Sequence, residues 1–325
     1  MQNLQIRLKH APAKSGDFEL IEGVRPTLTN GSFLARTLWL AIDPLHLGTS
    51  GELNGGGLSP GDVVPARGVG EVIESRHDVF GVGSIVVLDA GLQAFAVSNG
   101  QHARFVHPGQ TPVSTALGVL GAPGMAAYFG LLDLAKLRPG ETVLVSAAAN
   151  AAGSMAGQIA MLKGARAIGI AGTREKCEWV TRHARLSACI NYRAEPFSRR
   201  LRQLAPRGID VFFDNTSGEL LDTVITQRHL ASGARIVQNS LSAADPEPAL
   251  IRAGYLPERD GIQVRRARVR DYEHRRGEFL REAMAWHGAG RIAVKDHVVE
   301  GLPRAPELLR LAMLGDTFGR PLVKL

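Results

Sequence analysis

The 325-residue sequence predicts an α/β protein of two parts: a β-rich domain and a doubly wound, six-stranded parallel sheet. Three observations predict it. Short apolar runs broken by Gly, Pro and Asn fill residues 1–110, as strands joined by turns require. From about residue 120, strand-like runs alternate with helical patterns, the order that builds a parallel sheet. Within these runs, VLV and VFF are apolar at consecutive positions, which suits strands covered on both faces.

In the first part the expected strands are FLARTLWLAI (33–42), GVGEVIES (68–75), GSIVVLDAG (83–91) and AFAVS (94–98), and GELNGGGLSPG (51–61) reads as a loop. In the second part ETVLVSA (141–147) precedes a helix at 151–164, ARAIGIAG (165–172) one at 174–184, and SACINY (187–192) one near 196–204. GIDVFFDN (208–215) precedes a helix at 218–229, GARIVQN (233–239) follows, and GIQVRRARV (261–269) precedes a helix at 273–288. A helix at about 304–314 and a strand at PLVKL (321–325) return the chain to the first part.

Composition narrows the class. Hydrophobic residues make up 45% and charged residues 21%, a globular balance with ample core material. Two cysteines, Cys177 and Cys189, exclude a disulfide framework and fit a reducing cytoplasm. The N-terminus lacks the apolar run of a signal peptide. The charge-free stretch 111–132 is interrupted by four glycines and two prolines, so no membrane span is expected. The net charge is +7, and its densest cluster is RRARVRDYEHRR (265–276). There Arg266 and Arg268 alternate with Ala267 and Val269, as on a strand with one wet face, and two acids interrupt. A generic basic surface is expected, not a nucleic-acid patch.

The segment after ETVLVSA carries the chemistry. A dinucleotide fold needs a tight turn after its first strand and a helix whose first amides face phosphates. Here the segment reads Ala147-Ala148-Ala149-Asn150-Ala151-Ala152-Gly153-Ser154, then Gly157. Gly153 and Gly157 lie one helical turn apart and allow close packing on the sheet. Asn150 stands where a glycine is usual. Asparagine tolerates positive φ and also caps helices, so the turn can survive. The amide either bonds a phosphate oxygen or crowds it; retained binding by Asn150, Ala151, Ala152 and Gly153 is the expectation. The next strand ends Ala171-Gly172-Thr173-Arg174-Glu175-Lys176. The acid that would hold the ribose of NAD is missing directly after the strand. Thr173, Arg174 and Lys176 suit a 2′-phosphate, so NADPH is the expected cofactor. Glu175 reads as a first-turn helix acid, and the competing reading leaves Lys176 as a solvated helix lysine.

The sequence resembles the zinc-independent medium-chain dehydrogenases/reductases, and within them the prostaglandin reductase and NADPH-dependent alkenal double-bond reductase family. The matching stretches span nearly the whole chain: DFELIEG (17–23), IDP (42–44), GVGEVIESRH (68–77), LGVLGAPGMAAYFGLLD (117–133), GETVLVSAAA (140–149), GQIAMLKG (157–164), GIAGTREKC (169–177), INY (190–192), FFDN (212–215), VVEGLPRAPE (298–307) and FGRPLVK (318–324). The resemblance implies a GroES-like domain of residues 1–119 and 296–325 with an inserted Rossmann NADPH-binding domain of residues 120–295. It implies pyrophosphate at 150–153, and 2′-phosphate at Lys176 and Tyr192 beside the strand end Gly172-Thr173. It also implies cofactor contacts from Asn215 and from Thr317, the latter where an asparagine is usual, and a backbone contact from Asn239. A cytoplasmic homodimer is the family's expectation.

Zinc is not expected on independent grounds, because two cysteines furnish neither a structural nor a catalytic zinc set, and His46 near Asp43 is a lone pair. The chemistry implied is metal-free reduction of an α,β-unsaturated carbonyl: hydride to the β-carbon, stabilisation of the enolate oxygen, and a proton to the α-carbon. The resemblance points to Tyr255 as the group at that oxygen, with a surface-loop tyrosine or the nicotinamide ribose hydroxyl as alternatives. Departures from the family gather around the active site: Leu45-His46-Leu47-Gly48, Pro65-Ala66-Arg67-Gly68 (with Arg67 retained), Leu92, SLSAADPE (240–247), Asn150 and Thr317. Two alternatives stay open: a quinone or biosynthetic enoyl reductase, and a non-redox derivative with impaired cofactor binding.

Overall fold

A computed structural model describes residues 2–10, 17–43, 58–107, 109–239, 250–255 and 260–325. The expectations for Leu45 to Gly48, for most of the 51–61 loop and for the 240–247 segment lie outside the described residues. The chain divides into two units, Met1–Leu117 with Asp296–Leu325, and Gly118–Lys295.

In the first unit β1 (Asn3–Leu8) and β2 (Phe18–Gly23) form an antiparallel pair. The nine-residue strands β3 (Phe33–Ala41) and β4 (Arg67–Ser75) follow, then the shorter β5 (Ile85–Asp89), β6 (Phe95–Ser98) and β7 (Arg104–Phe105). Their apolar residues turn inward: Ile6, Leu8, Phe33, Leu40, Val72, Val86 and Leu88 share one core. Asn3, itself buried, ties β1 to β6 by donating to Phe95 O at 3.0 Å and accepting from Phe95 N at 2.9 Å, so its burial leaves no polar group unpaired.

The second unit begins with α1 (Ala122–Phe129), entered through a proline in its first turn. The charge-free stretch thus holds an eight-residue helix, and among the described residues no helix is long and apolar enough to cross a membrane. The sheet strands are β8 (Thr142–Val145), β9 (Arg166–Ala171), β10 (Ala188–Asn191), β11 (Ile209–Asp214), β12 (Leu230–Gln238) and β13 (Gln263–Arg266). Helices α2 (Ala151–Leu162), α3 (Arg174–Arg182), α4 (Phe197–Leu204) and α5 (Gly218–Thr226) link them. Every pairing is parallel, and among the described residues the order is β10-β9-β8-β11-β12-β13. The chain therefore reverses its direction of travel across the sheet between β8 and β11, the place where such sheets open a crevice beyond their carboxyl ends. The strand expected at 261–269 is shorter than its alternation suggested: β13 stops at Arg266, and a 3-10 helix starts at Val269 and runs into α6 (Arg276–Gly288).

The chain then re-enters the first unit. β14 (Asp296–Glu300) pairs in parallel with β15 (Arg320–Lys324), which adds antiparallel to β3, while α7 (Ala305–Met313) buries Ala305, Leu308 and Leu309 in the same core as Ile6 and Phe33.

Helix α2 lies close on β8 and β9 because seven of its twelve residues are Ala, Gly or Ser; its first ten residues are all buried. A β-carbon on Gly153 would stand 2.3 Å from Ala147 O, a carbonyl held in place by Asn150 N at 3.0 Å. One on Gly157 would meet only the branched end of Leu186, at 2.5 Å. Gly153→Ala is therefore expected to destabilise by more than the ~1–3 kcal/mol typical of overpacking, and Gly157→Ala to stay within it. Chemical denaturation checks this; the reverse ranking would contradict the packing described.

Candidate nucleotide-binding site

The site grows from the carboxyl ends of the parallel strands. β8 gives way to Ser146, whose buried hydroxyl donates to Asp214 Oδ1 at 2.8 Å and accepts from Asn215 N at 2.7 Å. Asp214, fully buried at the end of β11, also accepts from Thr216 N at 3.2 Å, Thr216 Oγ1 at 3.3 Å and Ser217 N at 3.0 Å. A buried carboxylate is costly without such donors, and here they are supplied. The network fixes the next layer. Asn215 Nδ2 donates to Ser146 O at 2.7 Å, and Asn239 Nδ2 donates to Asn215 Oδ1 at 2.9 Å. Ser146, Asp214 and Thr216 were not anticipated from sequence; a polar residue directly after each of VLV and VFF was the available signal.

The turn into α2 departs from the expectation that Asn150 takes the glycine-like backbone. Ala147 has the positive φ, +47°, and Asn150 is extended at φ −86°, ψ 175°. Ala148 N donates to Ile170 O at 2.9 Å and Asn150 N to Ala147 O at 3.0 Å, which closes the turn one strand-end early. Asn150 is instead the N-cap of α2: its Oδ1 accepts from Gly153 N at 2.6 Å. The carboxamide is thus folded back onto the helix. The Ala151 and Ala152 amides precede the first intrahelical bond, Ser154 N to Asn150 O at 2.9 Å, and have no acceptor within the helix.

At the end of β9, Thr173 caps α3 by accepting from Lys176 N at 3.2 Å. Glu175 is the acid of its first turn, and Arg174 turns along the helix to Glu178 at 2.8 Å, away from the role of anion ligand considered for it. Gly172 lies under Tyr192 and Arg193: a β-carbon there would come within 3.3 Å of Tyr192 Cε1 and of Arg193 Nε. The Arg193 guanidinium rests over the Tyr192 ring, 5.7 Å from its centroid, and donates to Tyr192 Oη at 3.3 Å. Tyr192 and Arg193 directly follow β10, and Lys176 stands in the first turn of α3, which follows the neighbouring β9; Arg193 joins the expected set as a second cation.

The carboxyl ends of β10, β9, β8, β11 and β12, in that spatial order, thus carry Tyr192, Gly172–Thr173, Asn150, Asn215 and Asn239. Two family models match the chain, an N-terminal domain of oxidoreductase at residues 3–106 and a zinc-binding dehydrogenase at residues 151–284. Prostaglandin reductase 1 of Bos taurus is 35% identical, covering 95% of this chain and 94% of its own length. The chain belongs to the prostaglandin reductase family of medium-chain dehydrogenases/reductases. NADPH-dependent curcumin reductase of Escherichia coli (strain K12) is 33% identical over 97% of this chain and 94% of its own. Among solved structures, CurA of Vibrio vulnificus in complex with NADPH superposes with a TM-score of 0.89 at 32% identity, covering 99% of this chain and 98% of the other. Among the described residues there is no group of three or more His, Cys, Asp and Glu side chains that could hold a metal ion.

Thr317 belongs to the unit Met1–Leu117 with Asp296–Leu325, just before Phe318. One expected residue lies away from the strand ends that carry Asn150. Tyr255 is 3% exposed and sits in the core with Ile209 and Leu230. Its hydroxyl accepts from Leu230 N at 3.4 Å, at the first residue of β12, which is the amino-terminal edge of the sheet and opposite to the edge carrying Asn150. The Arg228 guanidinium covers its ring at 4.6 Å, and burial raises the phenol above the usual tyrosine range. The assignment of Tyr255 to an enolate oxygen is therefore corrected: it is a core tyrosine whose spacing along the chain matched and whose position in space does not. Tyr255→Phe is expected to leave kcat for an unsaturated ketone unchanged and to lower stability by ~1 kcal/mol, the net worth of one hydrogen bond. A tenfold fall in kcat with stability intact would restore the catalytic assignment.

Proposed function

We propose that this protein reduces the carbon–carbon double bond of α,β-unsaturated aldehydes and ketones with NADPH and without a metal. One observation carries the reading: five neighbouring strand ends, spanning roughly 19 Å at ~4.8 Å per strand, offer anion donors at one end and paired amides at the other. That is the scale and polarity of an extended dinucleotide. The reductase names of the bovine and Escherichia coli relatives, and the NADPH held by CurA of Vibrio vulnificus, support the same chemistry.

The residues fit the cofactor. Gly153 lets α2 pack close against the Ala147 turn, and the Ala151 and Ala152 amides suit the pyrophosphate. Lys176, Tyr192 and Arg193 beside Gly172 and Thr173 suit the 2′-phosphate, and no acid directly follows β9 to hold the unphosphorylated ribose. Asn215 and Asn239, pinned by the Ser146–Asp214 network, would orient the nicotinamide half. When bound, NADPH supplies the hydride delivered to the β-carbon. The chain's own contribution is placement: a nucleotide held at both phosphate positions fixes the distance and angle of approach, which is where most of the acceleration in such a site arises.

In this reading residues 120–295 are the NADPH-binding domain, residues 1–119 with 296–325 are the catalytic domain, and Thr317 of the latter is a further cofactor contact. It extends to a cytoplasmic homodimer, supported by cysteine usage and by family resemblance. The Asn150 carboxamide, turned back to Gly153, favours retained nucleotide binding over a non-redox derivative.

Enals, enones and quinones offered with NADPH test the reaction; enal or enone turnover is expected, and NADPH that stays unoxidised with all of them would contradict it. Lys176→Ala is expected to weaken NADPH binding roughly tenfold, the scale of one hydrogen bond to a charged group, while leaving NADH binding nearly unchanged. Equal losses for both nucleotides, read by fluorescence titration, would remove Lys176 from the 2′-phosphate.

A further inference from the structure

The two cysteines are 12 residues apart in sequence and meet in space: Cys189 Sγ donates to Cys177 Sγ at 3.0 Å. That is inside the ~3.5–4.0 Å at which unbonded heavy atoms ordinarily rest. Both are partly buried free thiols. Cys177 lies in the first turns of α3, directly after Lys176, and Cys189 lies on β10, three residues before Tyr192. The pair therefore links the two elements that carry the 2′-phosphate candidates.

We propose that Cys177 and Cys189 are an oxidative modification site, a dithiol that hydroperoxides convert to an intramolecular disulfide, weakening NADPH binding at the adjoining phosphate subsite. The consequence for NADPH rests on the functional reading above; formation of the bond does not. The chemistry balances with the peroxide as oxidant. The Cys177 thiolate attacks the terminal, hydrogen-bearing peroxide oxygen, the O–O bond breaks, and the departing alkoxide (hydroxide from hydrogen peroxide) takes a proton to become an alcohol (or water). Cys177 is left as a sulfenic acid. The Cys189 sulfur then attacks the Cys177 sulfur, the S–O bond breaks, and hydroxide leaves with the Cys189 proton as water. Two thiols have lost two electrons and the peroxide has gained them.

The order of events follows from the environment. The hydrogen bond donated by Cys189 lowers the Cys177 thiol below its ordinary range, while the same bond, then burial, raises Cys189. Cys177 is the nucleophile and Cys189 the resolving thiol. Closing the bond shortens the sulfur separation from 3.0 Å to about 2.05 Å, drawing the first turns of α3 toward β10. Thr173 and Lys176 belong to the stretch that moves.

The test uses the full chain treated with hydrogen peroxide, then analysed by intact mass, peptide mapping and NADPH titration. The expected result is loss of two hydrogen masses in a monomer, a 177–189 cross-link, and NADPH binding weakened by about tenfold, within what a ~1 Å misplacement costs a positioned contact. Dithiothreitol should restore both mass and affinity, and Cys177→Ser and Cys189→Ser should each abolish the cross-link. Oxidation to sulfinic acid with no cross-link would overturn the site, and a cross-link with unchanged NADPH affinity would overturn its effect. Reduced protein that does not bind NADPH would instead overturn the functional reading, leaving the cross-link to decide the modification alone.

Discussion

The hydrogen bond from Gly153 N to the Asn150 carboxamide governs whether the first turn of α2 can receive a phosphate. An asparagine at a glycine position threatens that turn in two ways, by strain in the backbone and by bulk in front of the amides. Neither arises. The left-handed residue is Ala147, at a cost of ~1–2 kcal/mol for a residue with a β-carbon. Against that stand the cap, worth ~1 kcal/mol, and two turn hydrogen bonds at ~0.5–1.5 kcal/mol each. The balance favours the turn, and the same cap carries the side chain away from Ala151 and Ala152.

That turn would be of little use without the strand end beside it. Asp214 is buried, and its donors come from both sides of the point where the sheet order reverses: Ser146 after β8, and Thr216 and Ser217 after β11. Because the carboxylate demands those donors, Ser146 has no freedom, and Asn215 and Asn239 inherit fixed orientations through it. The edge of the sheet is ordered by the protein's own polar groups, a condition for orienting a nucleotide without a reorganisation cost.

The fold was legible where physical periodicity is local. Alternation of strand and helix patterns from ETVLVSA onward yields the six parallel strands, and Thr173 and Glu175 announce the start of α3. Less was legible where partners are distant. β1 buries the polar Asn3 and Gln5 beside Ile6 and Leu8, which hides its strand pattern, and Asn3 declares its role only through Phe95, 92 positions away. Asn150 was open to two conformations, and the choice was made by Ala147, which gives no signal of its own. Tyr255 shows the limit of spacing as a guide: a match along the chain placed it upstream of the sixth strand, whereas burial against Leu230 put it at the far edge of the sheet. The alternation of arginines with Ala267 and Val269 likewise implied more strand than β13 contains.

The most direct measurement is an NADPH titration of the isotopically labelled chain, followed through its backbone amide resonances. Saturable shifts that are largest at Ala151 and Ala152, with the Gly153 amide still bonded to Asn150, are the expected result. An absence of shifts at millimolar nucleotide, or shifts confined to residues away from the start of α2, would contradict the placement of the cofactor and with it the assigned chemistry.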